Sequence, residues 1–357
     1  MQNMNKNIED LKIHESMSIS SALKRMDEVG HKLLIIESNE GIFLGLVSIG
    51  DIQRAIISNK DLNHPIKHIL RMDLIVSKST DNLEDIKQLM LKFRLEYMPV
   101  LSDENRVHTV IFWDDIIKED IDSHKYPKLN MPVVIMAGGF GTRLKPLTNI
   151  LPKPLLPYGD STILENIIQK FVKNGCNDFH LSVNYKADLI QYYFDTLEEK
   201  NYNVALFREV KPLGTAGSLG LLKDQLKSTF FVSNCDIIID QDYSEILKYH
   251  KDQNNELTLV ASLKQYNIPY GTIESGENGE LLGLKEKPEL TFMINCGLYI
   301  LEAHLLNEIP DDTFFHITDL IEKIKERKGK VGVFPISEKS WTDIGEWHLY
   351  SKHININ

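Results

Sequence analysis

The sequence predicts an α/β chain in two parts, a smaller α+β tandem repeat followed by a doubly wound, mostly parallel sheet. Three observations predict it. The first 120 residues repeat at a constant offset, a polar break follows near residues 122–130, and from Met131 onward buried-strand and amphipathic-helix patterns alternate. Alternation at that spacing is the mark of βαβ units, whose strands pair in parallel. The 357 residues are enough for two or three domains with cores of their own.

In the repeat, an offset of 64 aligns Met26 with Met90, Ile36 with Val100, Leu46 with Val110 and Val47 with Ile111. It also aligns Asp51 with Asp115 and Ile52 with Ile116, without a gap. Each copy reads as a helix (20–29 and 84–93), an apolar strand, a polar turn, a second strand and a short helix opening at the Asp. The expected boundaries are 1–66 and 67–121 for the copies. A linker at 122–130 carries Pro127 and has no apolar periodicity.

The second part covers 131–357. Residues 133–136 read as a short buried strand. Residues 162–174 have helical apolar spacing, with Ser161 placed to cap the start and Gly175 to end the helix. Residues 179–183 and 204–207 are strand-like around a helix at 187–197. A further buried strand at 230–232 precedes a helix at 244–250. In sheets of this kind ligands bind at the carboxyl ends of the strands.

Composition narrows the function. A formal charge of −11 makes the surface repel nucleic acid and anionic membrane, so neither is an expected partner and an anion site must be a local basic pocket. No apolar run approaches the roughly 20 residues of a membrane helix. The polar residues 1–9 lack a signal-peptide core. Cys176, Cys235 and Cys296 are far apart and in no zinc spacing, as expected of core residues in a reducing cytoplasm.

The first strand runs into Ala137-Gly138-Gly139-Phe140-Gly141-Thr142-Arg143-Leu144. Three glycines let the backbone turn sharply and bring its amides to phosphate oxygens. The run lacks the Gly-Lys-Ser/Thr of a P-loop, and Leu144 stands where a dinucleotide fingerprint needs its third Gly. Lys145-Pro146-Leu147-Thr148 and Pro152-Lys153-Pro154-Leu155-Leu156-Pro157 follow. No acidic residue occurs from 131 to 159, so Arg143, Lys145 and Lys153 form the local basic pocket that a triphosphate requires.

Residues 138–157 resemble the signature of sugar-1-phosphate nucleotidylyltransferases, a long joint motif of high specificity. The resemblance implies a Rossmann-like nucleotidyltransferase domain, with Gly138, Gly139, Gly141 and Thr142 against the nucleotide and Arg143 and Lys153 holding its phosphates. Asp236, at the end of a buried strand, resembles the family's metal-binding Asp, with Cys235 where a Gly is usual. Asp343, in Trp341-Thr342-Asp343-Ile344-Gly345, resembles the second. The implied cofactor is Mg2+. Glu286-Lys287-Pro288 resembles the sugar-site motif, which implies Glu286 on sugar hydroxyls and Lys287 on the sugar phosphate. Tyr270, Gly271 and Asn295 match positions lining the sugar pocket.

The segment 208–217 resembles the base-recognition loop, with Gly214 and Thr215 against the nucleotide and Glu209 where a base-reading side chain is expected. Guanine offers two adjacent donors, N1–H and N2–H2, and a carboxylate accepts both, which favours GTP. Thymidylyl and uridylyl transfer remain alternatives, because Gln would suit those bases better. The expected partners are therefore GTP and a sugar 1-phosphate. The expected reaction is attack of the sugar phosphate oxygen on the α-phosphorus, with pyrophosphate leaving. Little sequence follows Asp343, so a hexapeptide-repeat β-helix is not expected.

The N-terminal repeat resembles a tandem CBS pair, carried by the order of elements and by Ser48-Ile49-Gly50-Asp51. That resemblance implies a regulatory nucleotide held by Ser48 and Asp51. Asp115 forms a second half-site, placed in doubt by Phe112 where the hydroxyl should be. It also implies a homodimer. The combination of the two parts resembles glucosamine-1-phosphate guanylyltransferases of bacterial legionaminic acid synthesis. Mannose- and heptose-1-phosphate guanylyltransferases share the catalytic motifs. A non-catalytic sensor is the alternative of a different class, and Arg143, Lys153, Asp236, Lys287 and Asp343 are all present against it.

Overall fold

The computed structural model describes residues 8–70, 75–83, 85, 86, 89, 90, 97–112, 128–197, 200–345, 347, 350 and 351. The chain folds as two units, Met1–His124 and Lys125–Asn357. Among the described residues no helix is long and apolar enough to cross a membrane.

The first unit repeats in space as it does in sequence. Strand β1 (Lys12–His14) pairs in parallel with β2 (Leu33–Glu37), which pairs antiparallel with β3 (Phe43–Ser48). In the second copy β4 (Ser77–Lys78) pairs in parallel with β5 (Tyr97–Leu101), and β5 antiparallel with β6 (Val107–Phe112). Both hairpins break register at the same place, Ile36/Glu37 in one and Val100/Leu101 in the other. The copies share one core, in which Leu33, Ile35, Phe43 and Leu46 pack with Tyr97, Leu101, Val110 and Phe112. The buried Tyr97 hydroxyl donates to the Leu33 carbonyl at 2.6 Å, satisfying both polar groups inside that core.

In the first copy α1 (Ile19–Val29) is capped by Ser18 and ends at Gly30 in the left-handed region. Helix α2 (Ile49–Ile57) starts two residues before the Asp that was expected to open it, because Ser48 and Asp51 form a reciprocal capping box. Of the second copy's first helix, expected at 84–93, residues 85, 86, 89 and 90 are described and helical, with Ile86 and Met90 buried; the helix opening at Asp115 and most of the linker lie outside the described residues.

The second unit is built on a seven-stranded sheet. Its strands are β7 (Pro132–Met136), β8 (Asp178–Val183), β9 (Asn203–Arg208), β10 (Phe230–Asn234), and, further on, β12 (Leu257–Asn267), β15 (Glu289–Leu301) and β16 (Val331–Ile336). The order is β9-β8-β7-β10-β15-β12-β16, and only β15 runs antiparallel to its two neighbours. Val133 and Ile135 of β7 join one apolar cluster and Val134 the other, as alternate residues of a strand must when both faces are covered. Helix α3 (Ile163–Lys173) supplies Ile167, Ile168 and Phe171 to the first face, and α6 (Ile317–Glu326) supplies Leu320 and Ile324 to the second.

Thr162, not Ser161, caps α3, through a capping box with Glu165, and the Ser161 hydroxyl instead accepts from Asn166 Nδ2 at 2.7 Å. Two further helices are α4 (Ala187–Thr196) after β8 and α5 (Tyr243–Asp252) before β12. Four more short strands lie outside this sheet. They are β11 (Ile237–Ile239), paired with β17 (Trp341–Asp343), and the ribbon of β13 (Thr272–Ser275) with β14 (Leu281–Lys285). The chain winds from β7 outward through β8 and β9, then returns to place β10 on the other side of β7. The strand order therefore reverses between β7 and β10, where a crevice opens at their carboxyl ends.

Candidate active site

Beyond Met136 the chain turns through the three glycines. Gly141 adopts φ 62, and a Cβ there would stand 2.8 Å from Thr148 Cγ2, while the Thr148 hydroxyl donates to the Gly141 carbonyl at 3.0 Å. Gly139 has nothing within 4 Å of the place a Cβ would occupy, so its backbone is open to a ligand. Lys153 begins a short helical turn, Lys153–Leu155, between two prolines that preset its backbone. The side chain is buried and its ammonium donates to Asp236 Oδ2. Arg143 is more exposed, with its guanidinium 3.7 Å from the same oxygen.

Asp236 follows β10, and Asp343 ends β17. The short β11–β17 pair puts Ile237 opposite Asp343, and the Ile344 amide donates to the Asp236 carbonyl at 2.8 Å. Residues more than a hundred positions apart thus bring two carboxylates together. Gly345 lies between them. A Cβ on it would stand 2.7 Å from Asp343 Oδ1, 3.0 Å from Asp236 Oδ2 and 3.1 Å from Arg143 Nη2. Its amide donates to Asp343 Oδ1 at 2.6 Å. Paired carboxylate oxygens suit a small hard cation that completes its shell with phosphate oxygens and water, although of the two only Asp236 lines the cleft described below.

Glu209 follows β9. Its carboxylate accepts from the Ser182 hydroxyl at Oε1 and from the Leu213 amide at Oε2, the latter at 3.0 Å. It is half-buried, not a solvated surface acid. Gly214 has φ 80, and a Cβ there would meet the Phe315 carbonyl at 2.6 Å. The Thr215 hydroxyl accepts from the Ile317 amide at 2.9 Å, which ties this loop to the start of α6.

Gly138, Gly139, Gly141, Thr142, Arg143, Lys153, Glu209, Gly214, Thr215 and Asp236 all line one cleft of about 370 Å3. Gly345, Phe314 and His316 also line it, the two rings meeting edge to face at 4.7 Å. Nothing in local sequence marked Phe314 or His316. Gly345 stood in the Asp343 motif, but only the pairing of β11 with β17 shows what its missing side chain makes room for.

The residues expected at the sugar site are placed differently. Tyr270, Gly271, Glu286 and Lys287 sit on or beside the β13–β14 ribbon and do not line the cleft. Tyr270 is 74% exposed, and a Cβ on Gly271 would stand 3.1 Å from Glu286 Oε2. Lys287 is exposed with φ 44. Asn295 donates to the Tyr299 hydroxyl at 2.8 Å and accepts from the Gly297 amide at 3.0 Å. Gly297 in turn packs on Asn234 of the cleft wall, so Asn295 adjoins the cleft at one remove. Of the three residues expected to hold phosphates, Arg143 and Lys153 converge and Lys287 stands apart.

Burial pushes the Cys235 thiol up to about 12, with the Asp236 charge adding to the effect. The residue is small enough to lie in the core beside the first carboxylate. Cys176 and Cys296 are likewise free and buried, their thiols pushed up to about 11 and about 12 by burial. Away from the cleft, Glu256, His304 and Glu308 come close enough to hold a metal, but Arg327 already spans both carboxylates at 2.6 Å. That guanidinium holds the Glu256 carboxyl down to about 2, so the cluster is an ion-pair network.

Residues 132–355 match the nucleotidyl transferase family. The chain belongs to that family. Residues 4–58 match the CBS domain. This nucleotidyl transferase is 36% identical over 185 residues to a mannose-1-phosphate guanylyltransferase catalytic subunit beta of Dictyostelium discoideum, covering 50% of this chain and 52% of that protein. It is 34% identical over 225 residues to the protein of the same name from Xenopus tropicalis, covering 60% and 61%. The chain spans about half the length of the curated relatives it matches. A crystal structure of HddC from Yersinia pseudotuberculosis superposes with a TM-score of 0.50 at 27% identity, over 62% of this chain and 97% of that one. Nucleotidyl transferases use a divalent metal ion as a rule, and Asp236 and Asp343 are carboxylates that could hold one.

Gly345→Ala is expected to keep the fold and lower kcat roughly tenfold to a hundredfold, because its methyl must displace a carboxylate from its working position. Steady-state kinetics beside a thermal melt checks this. An unchanged kcat would mean that the space between the carboxylates is not used.

Proposed function

We propose that the protein is a magnesium-dependent sugar-1-phosphate guanylyltransferase that converts GTP and glucosamine 1-phosphate to GDP-glucosamine and pyrophosphate. The observation that carries the reading is the meeting, in one cleft, of the Glu209 carboxylate with Arg143, Lys153 and Asp236. The glycine-rich turn offers amides and open space to the triphosphate, and Arg143 and Lys153 neutralise its charge. Glu209 accepts the two donors of the guanine edge. The sugar phosphate oxygen attacks the α-phosphorus and pyrophosphate leaves in line. Phosphate oxygens are already good nucleophiles, so the protein contributes positioning and charge stabilisation and needs no covalent intermediate. Asp236 and Asp343 would hold a magnesium ion, which would supply charge neutralisation at the α-phosphate and the leaving pyrophosphate.

The joining of a CBS domain to this transferase unit supports glucosamine 1-phosphate as acceptor and legionaminic acid synthesis as context. The names of the relatives favour mannose 1-phosphate as a second reading. A matrix of four nucleoside triphosphates against several sugar 1-phosphates, read by pyrophosphate release, decides between them. GTP with glucosamine 1-phosphate is expected to be fastest, and EDTA to abolish turnover. Faster reaction with dTTP or UTP would overturn the base assignment, and activity indifferent to EDTA the metal.

For the N-terminal unit the proposal is one regulatory nucleotide per chain, with homodimerisation. Asp51 lines a cleft of about 500 Å3 together with Arg54, Lys60 and His68, a basic set suited to phosphate. Ser48 is not in that wall. Asp51 is itself buried, its Oδ2 accepting from the Ser48 amide and hydroxyl at 2.8 and 2.6 Å and its Oδ1 from Arg54. Replacing Asp51 would therefore remove a helix cap along with any ligand contact, and Lys60→Ala is the cleaner variant. Calorimetry of the full chain with AMP and ADP is expected to give one-site binding that Lys60→Ala weakens about tenfold, as loss of one charged contact should. No binding would leave the unit a structural module. Asp115 lies outside the described residues.

A further inference from the structure

Glu209 is held from two sides before any nucleotide arrives. Ser182 lies on β8, the strand that separates β7 from β9, and is completely buried. A hydroxyl at such a position needs a partner, and it donates to Glu209 Oε1. The Leu213 amide donates to Oε2 at 3.0 Å. The backbone of Glu209 is fixed as well, its amide donating to the Val183 carbonyl at 2.9 Å and its carbonyl accepting from Asn184 Nδ2 at 2.8 Å. Gly138 presses on the same carboxylate, since a Cβ there would stand 2.8 Å from Oε1.

The final torsion of a Glu side chain is broad when nothing constrains it, so a carboxylate tethered at one oxygen samples many tilts. Tethered at both, it has one. An ionised carboxylate offers about four acceptor positions, two on each oxygen. Ser182 and Leu213 take one on each. The number remaining matches the two adjacent N–H donors of a 2-amino-6-oxopurine.

We propose that Ser182 is a positioning residue for base selection: its buried hydroxyl locks the Glu209 carboxylate in the plane that reads two neighbouring donors at once. This rests on the guanylyl-transfer reading. The lock acts on discrimination rather than on chemistry, because the Ser182 hydroxyl bonds the Glu209 carboxylate and none of Arg143, Lys153 and Asp236.

The test uses the full chain and compares GTP with inosine triphosphate, which lacks the 2-amino donor. The wild-type enzyme is expected to prefer GTP in kcat/KM by about tenfold or more, the worth of one charge-assisted hydrogen bond. Ser182→Ala is expected to lower that preference to about threefold or less. Its kcat at saturating GTP and its kcat/KM for inosine triphosphate should stay near wild type. Ser182→Cys, close in size with a weaker donor, should fall between, and it serves in place of the Ala variant if that melts below the assay temperature. Equal losses with both nucleotides would show a merely structural role and overturn the proposal. So would a full GTP preference in Ser182→Ala while Glu209→Gln loses it. A wild-type enzyme that does not distinguish the two nucleotides would instead overturn the guanine reading itself.

Discussion

Asp343→Asn is expected to fold as the wild type does and to lose turnover by two to three orders of magnitude, roughly the cost of removing one preorganised electrostatic contact at a phosphoryl-transfer site. Asp236→Asn should lose as much turnover but also melt lower. The difference follows from their partners. Asp343 Oδ1 accepts from a backbone amide, whereas Asp236 carries the charge that faces the buried ammonium of Lys153. An amide in its place keeps an acceptor but removes the opposite charge, at a cost of about 2 kcal/mol. If the two carboxylates serve one cation, the double variant turns over little more slowly than either single one, since groups acting as a unit are not additive. Single-turnover pyrophosphate release, together with Mn2+ binding measured by electron paramagnetic resonance, checks both points. Additive losses would mean separate tasks.

Lys153→Met should lower kcat by about a hundredfold or more and raise the KM for GTP. Met fills the buried slot with a chain of similar length, so the substitution tests charge and not packing. Asp236 would then keep only the more distant Arg143 of this pair of cations. Lys153→Arg is not expected to restore activity. The slot between Pro152 and Pro154 is buried and holds a compact ammonium, and a planar guanidinium needs a wider, differently directed set of acceptors. A Met variant within about threefold of wild type in kcat would show that Lys153 only stabilises the empty site.

Much of the architecture was legible because it is written in short-range periodicity. The repeat at offset 64 depends on which residues are apolar, and the two hairpins keep that offset down to their shared break in register. The wound sheet followed from alternation, and the phosphate-binding turn from glycines, prolines and lysines within 20 positions of one another. Local capping was harder. Thr162 and Ser161 are equally good caps by type, and the choice depended on Glu165 standing three residues beyond one and four beyond the other.

The motif expected at the sugar site is the clearest separation between sequence and structure. Glu286 and Lys287 were identifiable from their neighbours, yet the ribbon that carries them leaves both outside the cleft wall that Arg143, Lys153 and Asp236 share. A motif specifies residue types in order along one segment. Where that segment sits relative to another depends on strand pairing, which sequence spacing does not encode.

By itself the sequence determined the fold class and the repeat, and it singled out the glycine-rich turn and the two acidic residues, because each is a pattern within one segment. Tertiary structure alone decided that Gly345 is the spacer between the carboxylates, that Ser182 holds Glu209, and that Phe314 and His316 wall the cleft. These are contacts between segments far apart in the chain. Burial and hydrogen-bond satisfaction select such contacts only once the whole unit has closed.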